Sequence, residues 1–209
     1  MKPYLIEGLD CSGKKAVAGN VVAMLENKGY PAIAVIGPLC NSGLRAFDQV
    51  LVNSTNIKSG SLLDSIRKTT YALEPVIDGI MRRESRKCTI KISSHYRAWA
   101  RAIVESDFSM IKKFQKHANQ HVKYSGAALL WTDFDKRVLR HKQDVIENKT
   151  SKIESKRFFN YNKDLFESWH FELYKLLEVY IGSVVHINTT YAEISDISNE
   201  VFEHMLGLV

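Results

Sequence analysis

The chain opens with Tyr4-Leu5-Ile6 running into Glu7-Gly8-Leu9-Asp10-Cys11-Ser12-Gly13-Lys14-Lys15, and no other stretch restricts the available folds as much. The apolar run is too short for a helix and reads as one buried strand. Two glycines then bracket a turn of set length, Gly8-x-x-x-x-Gly13-Lys14, and a helix-like pattern follows at once. Strand, glycine-bracketed loop and helix in that order make a phosphate cradle. Successive backbone N–H groups converge on phosphate oxygens, the helix adds the positive end of its dipole, and Lys14 reaches the β- and γ-phosphates. Gly8, Cys11, Ser12, Gly13, Lys14 and Lys15 are therefore the expected ATP- or phosphate-binding residues. The position after Lys14 should carry a hydroxyl to hold magnesium, and Lys15 stands there instead.

The rest of the chain alternates in the same way. Residues 3–7, 32–36, 88–93, 126–132 and 184–187 read as strands, the second ended by Gly37-Pro38. Between them, residues 15–28, about 61–84, 96–105, 135–156, 164–181 and 195–206 read as helical segments. In the first of these, Ala16, Val17, Val21, Val22 and Leu25 recur at roughly helical spacing before Gly29. Five buried strands alternating with helices predict an α/β three-layer P-loop NTPase fold, with a five-stranded parallel sheet flanked by helices. A single domain over residues 1–209 is expected, with a helical lid at about 135–158.

Composition narrows the class without naming a function. At 209 residues, 45% hydrophobic and 25% charged, the chain suits an ordinary soluble domain with a core of its own. No window approaches a membrane span, and no secretory signal is evident, so no membrane partner is expected. Cys11, Cys40 and Cys88 are odd in number and widely spaced, which argues against a disulfide framework and for a reducing, cytoplasmic setting. The formal net charge is +6, with basic excess at 82–101 and 136–157. Such clusters serve to face nucleic acid, to grip a nucleotide's phosphates or simply to be solvated.

Several side chains stand out as candidates. Asp10, inside the loop, is either a turn-former or a carboxylate held beside the transferring phosphoryl group. Arg97 and Arg101, four apart, can line one helix face at the carboxyl edge of the sheet, where ligands bind, or lie at the surface. Arg137, Arg140, Lys142, Lys149, Lys152, Lys156 and Arg157 fit a basic lid closing over phosphates, although each taken alone reads as solvated. His117 and His121 share helical spacing, but without a third ligand they read as a surface pair, and no metal ligand set is expected. Trp99, Phe158, Phe159, Tyr161, Phe166, Trp169, Phe171 and Tyr174 read mainly as core, while Phe47, Tyr71 or an aromatic near Tyr96 could stack a base.

Glu7-Gly8-Leu9-Asp10-x-Ser12-Gly13-Lys14 resembles the opening of thymidylate kinases and their nucleoside-monophosphate-kinase relatives. Further likenesses follow in order along almost the whole chain. Gly29-Tyr30 precedes a strand and Pro38; Ile92-Ser93-Ser94-His95-Tyr96 falls where the family has a strand ending in Asp-Arg-Tyr or Asp-Arg-His. Arg157-Phe158, then Phe166 and Tyr174, resemble the end of the lid and the helix after it. The resemblance implies transfer of the γ-phosphoryl of ATP to a (deoxy)nucleoside monophosphate or related small acceptor. Lys14 and Arg157 would stabilise charge and Asp10 would orient the acceptor, with Pro38, Tyr96, Arg97 and Arg101 around it. It also implies a homodimer. Three departures weigh against a simple transfer of roles: Lys15 for the magnesium-binding hydroxyl, Ser94-His95 for Asp-Arg, and Ile36-Gly37 before the substrate-loop proline. Magnesium thus lacks its usual protein ligands. A catalytically degenerate relative that binds nucleotide, phosphate or a protein partner is the alternative, and action on nucleic-acid ends a weaker third.

Overall fold

The computed structural model describes residues 2–37, 87–147 and 162–208, and between the first two blocks the helical residues Leu62, Ser65, Ile66, Thr69, Thr70, Ala72, Leu73 and Val76. Pro38, Arg157, Phe47, Tyr71, Phe158, Phe159, Tyr161 and the lid lysines 149, 152 and 156 lie outside the described residues. Five strands pair in parallel: β1 (Tyr4–Gly8), β2 (Ala32–Ile36), β3 (Cys88–Ile92), β4 (Ala127–Trp131) and β5 (Val184–Asn188), in the order β2-β3-β1-β4-β5. Each was legible to within a residue or two. Besides those helical residues, the helices among the described residues are α1 (Lys14–Asn27), α2 (His95–Val104), α3 (Phe108–His117), α4 (Phe134–Ile146), α5 (Lys163–Tyr180) and α6 (Ile194–Leu206).

The strand alternation divides the core in two. Tyr4, Ile6, Ile90, Ile92, Ala128 and Leu130 pack with Val17, Val21 and Leu25 of α1 and Val201 and Phe202 of α6. Leu5, Ala127 and Leu129 pack instead with Trp99, Phe114, Trp169, Leu173 and Leu177 from α2, α3 and α5. Helices on both faces explain why β1 and β3 are buried at every position, whereas the edge strands β2 and β5 are only partly covered. The result is a three-layer α/β fold. No helix among the described residues is long and apolar enough to cross a membrane.

Two features depart from expectation. Residues 108–117 form α3, a short helix that the sequence reading left unassigned; Asp107 caps it by accepting from the Met110 N–H at 3.1 Å. After α3 a 3-10 turn over Ala118–Gln120 redirects the chain, so His121 returns to the interior at 6% exposure. The surface-pair reading of His117 and His121 is therefore corrected: α3 ends at His117 before the helical spacing reaches His121. His121 Nδ1 lies 2.9 Å from His95 Nε2, in a nest made by Tyr96, Trp99 and Phe114.

Candidate phosphate-binding site

The β1–α1 loop stands at the carboxyl edge of the sheet, with β3 and β4 on either side of β1. Its first glycine is required twice over. Gly8 has φ +148°, and a Cβ there would stand 2.5 Å from the Leu130 carbonyl oxygen of the neighbouring strand. Gly13, at φ +86°, begins α1, which has no side-chain cap and no acid in its first turn. The helix start thus leaves backbone donors and a positive dipole end directed at an anion.

Among the described residues three cations bind loop carbonyls, and each is held by neutral oxygens. Lys14 is 8% exposed and donates from Nζ to the Leu9 carbonyl at 2.7 Å and the Ser12 hydroxyl at 3.3 Å. Arg137, one of the largest buried side chains, donates from Nε to the Asp10 carbonyl at 2.8 Å and lays its guanidinium 4.1 Å from the centre of the Phe166 ring. Arg140 donates to the Cys11 carbonyl at 3.2 Å and, from its other amino group, to the Thr189 carbonyl at 2.8 Å. Taken alone each of these arginines reads as solvated, but α4 turns both inward onto the loop.

The acidic side of the site is also built. Glu7, fully buried, accepts from the Gly8 N–H at 3.0 Å, the Ser94 N–H at 2.6 Å and the Ser94 hydroxyl at 2.7 Å. Ser94 in turn caps α2, its hydroxyl accepting from the Tyr96 N–H at 3.2 Å. Arg97 bridges the two acids: Nη2 is 2.6 Å from Asp10 Oδ1, and Nε is 4.0 Å from Glu7 Oε1. Glu7 is a site residue that the loop motif alone does not single out; the signal in the sequence is an acid at the end of a core strand. Burial raises its pKa, partly opposed by Arg97 and Lys14. Partial desolvation works upward at Asp10, whose side chain is 56% exposed, but Arg97, Lys14 and Arg137 outweigh it and leave the carboxyl well below the ordinary range. Lys14 is driven down to about 7 by desolvation and by Arg97, against the pull of Asp10 and Glu7.

The other candidates divide. Arg101 shares a helix face with Arg97, both guanidiniums lying about 6 Å from Trp169, and pairs with Glu105 at 2.7 Å. Tyr96 is 2% exposed and stacks with Trp99 and Tyr180, so its ring belongs to the core packing. Lys15 lies exposed on α1. Cys11, at φ 60°, brings its backbone to the loop; its thiol, 3.9 Å from His141 Nδ1 and from Asp144 Oδ2, is pushed up to about 11 by burial and by Asp10, and stays protonated. Thr189 closes the far side, its hydroxyl 2.6 Å from that of Thr132 at the end of β4.

What this arrangement can do is hold a chain of phosphates against the start of α1, with cations on α1, α2 and α4. No protein-family model matches the chain, and no curated protein matches it in sequence. A solved structure of a thymidylate kinase from Candida albicans, described for its broad substrate specificity and a novel structural element, is similar in fold. The TM-score is 0.66 at 12% identity, over 99% of this chain and 91% of that one. The chain therefore has a thymidylate-kinase-like P-loop fold.

Proposed function

We propose that the protein is a nucleotide-binding phosphotransferase that moves the γ-phosphoryl of ATP to a (deoxy)nucleoside monophosphate or a related small acceptor. The observation that carries this reading is the uncapped start of α1 facing Lys14, Arg137 and Arg140, whose charges no carboxylate of the described residues pairs. Joining two phosphate groups requires that mutually repelling anions be neutralised and aligned, with little covalent help from the protein. Lys14 would exchange the Leu9 carbonyl for a phosphate oxygen. Arg97 and Arg101, both on α2, would receive the acceptor's phosphate, and Asp10, its carboxylate 56% exposed, would orient the acceptor. Arg157, with neighbouring lid residues, would add charge over the transferred group. The setting proposed is cytoplasmic, with nucleotide and small acceptor as partners and a homodimer as the assembly.

Magnesium accompanies this chemistry in such folds, and the donor set does not fit it. The hydroxyl position is Lys15, the Ser12 hydroxyl accepts from Lys14, and both acids are held by donors or by Arg97. The decisive measurement is ATP turnover with a panel of nucleoside monophosphates, on wild type and on Lys14→Ala. Transfer that vanishes in the variant supports the reading; absence of any ATP binding by calorimetry overturns it.

A further inference from the structure

We propose that the loop binds a metal-free phosphate chain, and that Arg137 supplies the positive charge a divalent ion would otherwise bring. This rests on the phosphate reading of residues 8–15. The argument begins with how Arg137 is held. A buried arginine usually meets a carboxylate, which cancels its charge. Arg137, 1% exposed, donates from Nε to a carbonyl and lies over a ring, and no carboxylate of the described residues lies within ion-pair distance. Its Nη2 is shut from water and has no acceptor among the described residues. A guanidinium N–H in that state is a donor awaiting an anionic oxygen.

Its place in the fold says which anion. The Nε bond is to Asp10, inside the loop, four residues before Lys14. That 2.8 Å bond places the guanidinium against the loop itself, and its charge acts on Asp10, Cys11 and Lys14. Arg140, one helical turn on, fastens the neighbouring Cys11 carbonyl to Thr189 and prevents α4 from drifting away. Lys15 adds a further cation at the very position where a metal ligand is expected. A site with this excess of fixed positive charge repels a divalent ion, yet it complements a nucleotide that retains the full charge of its phosphates.

The test compares ATP, ADP and inorganic tripolyphosphate by calorimetry, in chelator and in excess magnesium, on wild type, Arg137→Met, Arg137→Lys and Lys14→Ala. Wild type should bind ATP in chelator within about threefold of its affinity with magnesium. Arg137→Met should lose about tenfold or more in chelator, the size of one charge-assisted contact, and Arg137→Lys should recover part of it. If Arg137→Met fails to fold, as a melting curve would show, the wild-type metal comparison and Arg137→Lys decide. Magnesium tightening wild-type binding more than about tenfold would overturn this inference while leaving the phosphotransferase reading intact. So would chelator binding by folded Arg137→Met equal to wild type. No binding under either condition would overturn both.

Discussion

Acid should unfold this protein far earlier than its carboxylates alone would dictate. The cause is two imidazole pairs, the buried His95–His121 between α2 and the turn after α3, and His170–His186 between α5 and β5, of which His170 is the buried member. Within each pair the nitrogens lie 2.9 Å apart, so one imidazole donates to the other and neither carries an extra proton. Desolvation lowers His121 to about 4 and His170 to about 3, and holds His95 well below its ordinary value. The native state therefore binds fewer protons than the unfolded chain between those values and about 6.5, and stability rises with pH across that window. It is fully present above about 6.5 and lost as the pH falls towards the folded-state values. From pH 7 to 5, His121 and His170 each forfeit about 2 kcal/mol, about 4 kcal/mol together, and His95 shifts in the same direction. That is a large share of the stability of an ordinary domain. Glu7 works the other way, since its raised pKa makes its protonation favour the native state. Urea unfolding followed by tryptophan fluorescence at pH 7, 6 and 5 measures the loss. The double variant His95→Phe/His121→Leu, replacing one pair by apolar groups, should show a slope shallower by about two protons. A loss below about 1 kcal/mol between pH 7 and 5 would refute the claim that these imidazoles are neutral and desolvated.

Three further outcomes follow from the site. Gly8→Ala should abolish phosphate binding and cost about 2 kcal/mol or more, because the added methyl meets the Leu130 carbonyl at 2.5 Å in a left-handed backbone; a circular-dichroism melt and calorimetry check both. Arg140→Met removes the link between the Cys11 and Thr189 carbonyls and should cost about 2 kcal/mol in the same melt, with weakened ATP binding. Nucleotide binding at pH 7.5 should take up as much as about one proton, since a phosphate raises Lys14 from about 7; binding heats in buffers of different ionisation enthalpy would show it, and heats independent of buffer would contradict it.

The fold was legible because its signals are local. Apolar runs such as Ala127–Trp131, with glycine at Gly126 and polar residues beyond, state strand and boundary together. The helix α3 was not, because the stretch carries only Met110 and Phe114 as buried positions among lysines and histidine. At the site, Gly8, Asp10 and Lys14 declared themselves through spacing. Arg137 did not: a basic residue on a charged helix looks solvated until the loop it folds against, more than a hundred residues earlier, is in place. The same holds for His121, whose partner His95 lies in another element, and for Ser94. In the resemblance Ser94 stood as a lost acid, while in the fold it is the hydroxyl that holds Glu7 and starts α2.

The way the loop is fastened has a kinetic meaning. Carbonyls of Leu9, Asp10 and Cys11 are each bound by a different cation, from α1 and α4, so three consecutive peptide units are already fixed before any ligand arrives. A phosphate meets a finished surface and the loop has no ordering entropy left to lose. The step that remains is an exchange at one ammonium, Lys14 releasing Leu9 and Ser12 as it takes the anion. Encounter should then follow the field of the site, fast at low salt and slowing as ions screen it, while the lifetime of the complex is set by how readily that lysine returns to its own loop.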